Sequence, residues 1–97
     1  MEVRFEDERL KRLEVDAAID GSYEPGIAKA FRKVINLIRQ SPDERDFYQF
    51  KSLRFEKLKG KRSHERSMRL NNQRRLILRI EGGHPKTIVI VGIEDYH

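Results

Sequence analysis

The chain has no cysteine and no tryptophan, and its 97 residues include only five Phe and three Tyr. Without cysteine there is no disulfide framework, no Cys-ligated zinc and no thiol nucleophile. The lack also fits a reducing compartment. Long apolar runs are missing too. None nears the roughly 18 residues a membrane span needs, and Met1-Glu2-Val3-Arg4 does not open a signal-peptide core. The expectation is one soluble, cytoplasmic domain over residues 1–97. Charged residues make up 38% of it and hydrophobic ones 37%, so its core must be small and aliphatic.

What is abundant is positive charge in one place. Counting Lys and Arg against Asp and Glu, residues 1–50 carry 9 and 11, residues 51–75 carry 10 and 2, and residues 76–97 carry 2 and 3. A +8 segment inside a chain of net +5 points to a polyanion, because each neutralised phosphate releases counterions and strengthens association. With few acids of its own, the segment reads as a nucleic-acid-binding surface.

Val3 and Phe5 alternate with charged neighbours and predict a short strand. Leu10, Leu13 and Ala17 share a helical face within residues 6–18, with acids at its start as the helix dipole prefers. Pro25 is placed in the first turn of a second helix, where its missing N–H costs nothing. Ile27, Phe31, Val34, Ile35 and Ile38 give that helix an apolar stripe as far as Gln40, and Ser41-Pro42-Asp43 stops it. Phe47 and Phe50 read as loop anchors on the core. Short strands are predicted at 55–58, 67–70, 75–80 and 87–93, separated by the basic turn Lys59-Gly60-Lys61-Arg62, by Asn71-Asn72-Gln73 and by Gly82-Gly83-His84-Pro85. The unbroken apolar run Ile88-Val89-Ile90-Val91 belongs in the sheet interior.

Register carries the reading toward function. A three-residue loop at 71–73 sets Arg69 opposite Arg75 and Met68 opposite Leu76, so Arg69, Arg75 and Arg79 share the face away from Met68, Leu76, Leu78 and Ile80. Like charges directly opposite each other destabilise a sheet, at about 0.2–1 kcal/mol per pair. An arginine face without adjacent acids is therefore expected to meet an anion.

His64, His84 and His97 lack metal-ligand spacing, and no nucleophilic serine or Gly-rich phosphate loop is present. No metal or cofactor is expected. The chemistry left is a cationic cluster, Lys59, Arg62, Arg69 and Arg75, with an imidazole at the end of the chain. His97 is expected to carry the α-carboxylate. That charge and Asp95 favour imidazolium while arginines oppose it, which leaves the group poised between the two influences. Such a set suits metal-free RNA cleavage, in which the ribose 2′-OH attacks the adjacent phosphorus. DNA lacks that hydroxyl, so the mechanism selects RNA.

The runs Leu58-Lys59-Gly60-Lys61-Arg62, Ser67-Met68-Arg69-Leu70-Asn71-Asn72-Gln73-Arg74-Arg75-Leu76 and Glu94-Asp95-Tyr96-His97, in that order and spacing, resemble the HigB family of bacterial toxins in the RelE/ParE superfamily. That family shows L-K-G-[DN]-R, S-I-R-[VI]-N-x-Q-W-R-[IL] and a closing D-Y-H. The resemblance covers residues 55–97. It implies an α/β (α+β) fold, two N-terminal helices packed on a small twisted, mainly antiparallel sheet. It also implies a ribosome-dependent mRNA endonuclease held in check by a cognate HigA-like helix-turn-helix antitoxin, with the 70S ribosome and mRNA as its other partners.

Carried over by position, Lys59, Arg75, Asp95 and His97 fall on family active-site positions, and Arg62 and Arg69 on basic positions that hold RNA. Lys61 and Arg74 join these as RNA-binding candidates, although Arg74 stands where the family has Trp. Glu65 and Arg66 replace family aromatics, and the family glycine after the first motif's arginine is missing around Ser63-His64. Base stacking at these positions is not implied. Two other readings stay open: a ParE-like inhibitor of DNA gyrase, which the terminal Asp95-Tyr96-His97 disfavours, and a noncatalytic RNA-binding module.

Overall fold

The computed structural model describes residues 1–16, 23–83 and 85–95. Its elements are β1 (Glu2–Phe5), α1 (Glu8–Val15), α2 (Ile27–Gln40), β2 (Glu56–Lys57), β3 (Glu65–Arg69), β4 (Arg74–Glu81) and β5 (Thr87–Asp95), with short 3₁₀ turns between α2 and β3. The strands form one mixed sheet of order β1-β5-β4-β3-β2, parallel only between β1 and β5. The helices pack on one side of it, giving the expected α+β architecture. No helix among the described residues is long and apolar enough to cross a membrane.

Asp7 caps α1, its carboxylate accepting from Arg9 N at 2.9 Å. The helix is thus shorter than the stretch 6–18 expected for it; Ala17 and Ala18 lie outside the described residues. Pro25 is not in the first turn of α2. The Ile27 N–H donates to Glu24 O at 3.2 Å, closing a turn ahead of the helix. Gly26 then serves as N-cap at φ 93°, a backbone region glycine enters without a Cβ clash.

Ile27, Phe31, Val34, Ile35 and Ile38 all turn out buried. With Leu10 and Leu13 they pack on the sheet's inner face, where Met68, Leu76, Leu78, Ile88 and Ile90 are fully buried. Each such side chain contributes about 1.5–3 kcal/mol of transfer free energy. Phe47 is the loop anchor it was expected to be, edge-on to Phe55 at 5.3 Å. Phe50 is not. It is the junction of the 3₁₀ turns Glu44–Gln49 and Lys51–Leu53 and stays 41% exposed, while Leu53 and Phe55 take the buried places.

The β3–β4 hairpin has the predicted register, Met68 opposite Leu76 and Arg69 opposite Arg75. Asn71 holds its loop, with Oδ1 accepting from Gln73 N and Arg74 N at 2.8 and 2.7 Å. β5 lies between β1 and β4 as its apolar run requires, but it carries a bulge. Ile77 pairs with Gly92 and Leu78 with Ile90, so Val91 is the extra residue. Beyond it the alternation of β5 is inverted. Glu94 comes to face Arg75, and Asp95 faces Arg74.

Candidate functional site

β2 ends in a basic loop that curls back on the sheet. Gly60 takes φ 66° and opens the single 3₁₀ turn Gly60–Arg62. This sets Lys59 and Arg62 beside Arg75 of β4 around a cleft of about 300 Å³, whose remaining lining is Glu56, Lys57 and Leu58. A larger groove of about 500 Å³, between α2 and the 3₁₀ segment, has Lys33 as its only cation among the described residues.

Arg62 is the most heavily bonded member of the cleft. Its Nε donates to Glu65 at 2.7 Å, and its two Nη atoms donate to the Glu94 carboxylate at 2.9 and 2.6 Å. Glu94, and after it Glu65, hold the guanidinium above its ordinary pKa. Glu65 is buried, so Arg62 compensates a carboxylate that water barely reaches. Arg75 approaches Glu94 at 3.7 Å.

The expected acid-free arginine face is therefore corrected. Arg62 and Arg75 meet Glu94, and Arg79 meets Glu6 and Glu81. The acids come from the residue after β1, from β4 and from β5, remote in sequence from most of the basic run. A subset does lack carboxylates: among the described residues, Lys51, Arg54, Lys57, Lys59, Lys61, Arg66 and Arg69 form no salt bridge. Arg69 instead donates to the Asn71 carbonyl at 3.2 Å and to Asn72 Oδ1.

Arg74 and Asp95 lie on the other side of the sheet. Arg74 donates to Glu24 at 2.6 Å, pairs with Asp95, and stands 5.8 Å from the Tyr23 ring. Hydrogen bonding to Arg74 holds Glu24 below the usual carboxylate range, and the same bond raises Arg74. Asp95, carried over as an active-site position, does not share a face with Arg69 and Arg75: the bulge at Val91 gives that place to Glu94. An unbulged β5 would have put Asp95 there.

The structure thus brings Lys59, Arg62 and Arg75 together, sets Arg69 across the ladder from Arg75, and leaves Lys61 exposed on the cleft's loop. His97 lies outside the described residues. Glu94 and Glu24 were not singled out in the sequence, and nothing in local alternation signals a bulge. Among the described residues no three His, Asp or Glu side chains gather where they could hold a metal ion. What the cleft can do is bind an anion through fixed cations, with two exposed amines, Lys57 and Lys59, beside them.

No protein-family model and no curated protein sequence matches the chain. Among solved structures it is similar to a YoeB/ParE toxin from Agrobacterium tumefaciens, at a TM-score of 0.62 and 14% identity over 100% of both chains. The likeness is one of overall fold along the whole length of both chains, which in this chain is helices packed on a five-stranded mixed sheet.

Proposed function

We propose that the chain is the toxin of a toxin–antitoxin pair, a HigB-like endoribonuclease that cleaves mRNA on the ribosome and is neutralised by a HigA-like antitoxin. The observation that carries this reading is the convergence of Lys59 and Arg75, distant in sequence, on one cleft. Both fall on motif positions of the resembled family, and the fold likeness is to a toxin.

In the proposed reaction the 2′-oxygen attacks the adjacent phosphorus and the 5′-oxygen leaves. A 2′,3′-cyclic phosphate remains on one fragment and a 5′-hydroxyl on the other. A base removes the 2′ proton and an acid protonates the 5′-oxygen. Arg75 stabilises charge on the equatorial oxygens, Lys59 supplies a second cation, and His97 serves as the proton-transfer group. Asp95, held by Arg74, fixes the end of β5 two residues before His97. Arg62, Arg69 and Lys61 contribute to RNA binding.

Single-turnover cleavage of a defined ribosome-bound message tests the assignment. His97→Gln should lose about 10²–10⁴ in rate while ribosome association survives. Full activity without His97 would move catalysis to Lys59 and Arg75. If expression of the chain stops DNA synthesis before translation, the gyrase reading wins.

A further inference from the structure

The arginines of this chain differ in what holds them. Arg62, Arg74 and Arg79 each meet two carboxylates. Arg66 is held differently: its Nη1 donates to the main-chain carbonyls of Ser63 and Glu65 at 3.1 and 3.2 Å. Carbonyl oxygens orient a guanidinium without cancelling its charge, so an incoming anion gains a full cation whose side-chain entropy is already spent.

Directly across the β2–β3 ladder from Arg66 is Lys57. Neither has a carboxylate partner among the described residues. Two cations opposite each other cost a sheet about 0.2–1 kcal/mol, and here Lys57 stands on the outermost strand, only two residues long, and Arg66 on its neighbour β3. Arg66 also pairs with Leu78, whose side chain is in the helix-side core, whereas the next residue, Ser67, pairs with Ile77 on the face of Arg75. Arg66 therefore leaves β3 on the side away from the Arg75 cleft. Lys57 belongs to both places, because it also lines that cleft. Lys51 and Arg54, both exposed, sit in a segment that packs on β3.

We propose that Lys57 and Arg66 form a second phosphate site, which takes the phosphodiester backbone of RNA around the β2 edge of the sheet. RNA is favoured over an acidic protein because Lys57 makes the site continuous with the cleft, so one phosphate chain can run from Lys59 over Lys57 to Arg66. The inference rests on the reading of the cleft as an RNA site, but its test needs no cleavage. The backbone bound there is either the flanking stretch of the same strand or a separate folded RNA.

The experiment is fluorescence anisotropy with 2′-O-methyl RNA, which cannot be cleaved, across a salt series. The probes are a trinucleotide, a 15-nucleotide single strand, a hairpin duplex and an Asp/Glu-rich peptide. Arg66→Gln should lower the slope of log K against log salt by about 0.7–0.9, and Lys57→Gln with Arg66→Gln by about twice that. Loss on the 15-mer alone identifies the flanking strand, and loss on the hairpin alone a separate folded RNA. Trinucleotide binding should be unchanged in Arg66→Gln. Unchanged slopes on both long probes, equal loss on the trinucleotide, or loss confined to the peptide would overturn the proposal. Wild-type protein that shows these slopes yet cuts no ribosome-bound message would remove the ribonuclease reading and leave the second site standing.

Discussion

Arg75 and Glu94 face each other across the β4–β5 ladder, with a guanidinium nitrogen 3.7 Å from the carboxylate. The same carboxylate takes both Nη atoms of Arg62. Arg62, Arg75, Glu65 and Glu94 formally cancel, so the cleft's surplus charge comes from Lys57 and Lys59 against Glu56. A phosphate entering the cleft competes with Glu94 for the same forked donors.

Glu94→Gln should therefore tighten binding of a non-cleavable RNA, by about three- to tenfold at low salt, on the order of 1 kcal/mol for a partly exposed pair. The gain should shrink as salt is raised. Anisotropy at two salt concentrations checks it. Weaker binding would instead make Glu94 the group that positions Arg62.

Arg62 and Lys59 should separate by stability. Arg62→Ala strands the Glu65 carboxylate, whose side chain is only 11% exposed, and should cost about 1–3 kcal/mol in urea unfolding. Lys59→Ala removes an exposed amine that forms no salt bridge among the described residues, and should stay within about 0.5 kcal/mol of wild type. Equal unfolding midpoints would show that Glu65 finds another partner or protonates without penalty.

Arg75→Ala should reduce turnover rather than affinity. Removing a group aimed at developing charge on phosphorus costs about 10²–10³ in rate. Arg75→Lys should recover little of it, since an ammonium lacks the two-pronged donor fork. Parallel loss of RNA affinity and rate would reduce Arg75 to one more backbone contact.

Much of this was legible in the chain itself. The stripe from Ile27 to Ile38 foretold α2, and the turn chemistry of Asn71-Asn72-Gln73 fixed a hairpin whose register put Arg69 against Arg75. Both are local signals, periodicity and loop length. Most partners of the arginines were not legible, because Glu6, Glu24 and Glu94 reach them through tertiary pairing; Glu81, two residues beyond Arg79 on β4, is the local exception. The side chosen by Asp95 depended on one extra residue at Val91, and β5 is apolar on both faces there, so its pattern carries no parity. Phe50 failed for a related reason: a junction between 3₁₀ turns has no fixed face to read.

The final prediction concerns acid. Arg74 holds Glu24, and Arg79 followed by Arg4 holds Glu81, below the ordinary carboxylate range. A carboxylate with a depressed folded-state pKa binds its proton more readily in the unfolded chain. Its stabilising contribution is complete above the unfolded value, about 4.3 for Glu, and disappears as pH falls through the lower folded value. Thermal midpoints should thus be level above about pH 5 and decline below it. Glu24→Gln with Glu81→Gln should start lower at neutral pH and decline less steeply, because two of the linked groups are gone. Some decline should remain, since Asp7 and Asp43 are lowered by Arg9 and Arg45 in the same way. High salt should narrow the gap between the two proteins, as both pairs are solvent-accessible. Parallel curves for wild type and variant from pH 7 to pH 3 would mean that these ion pairs form without linking to folding, and that the acid limb belongs to other carboxylates.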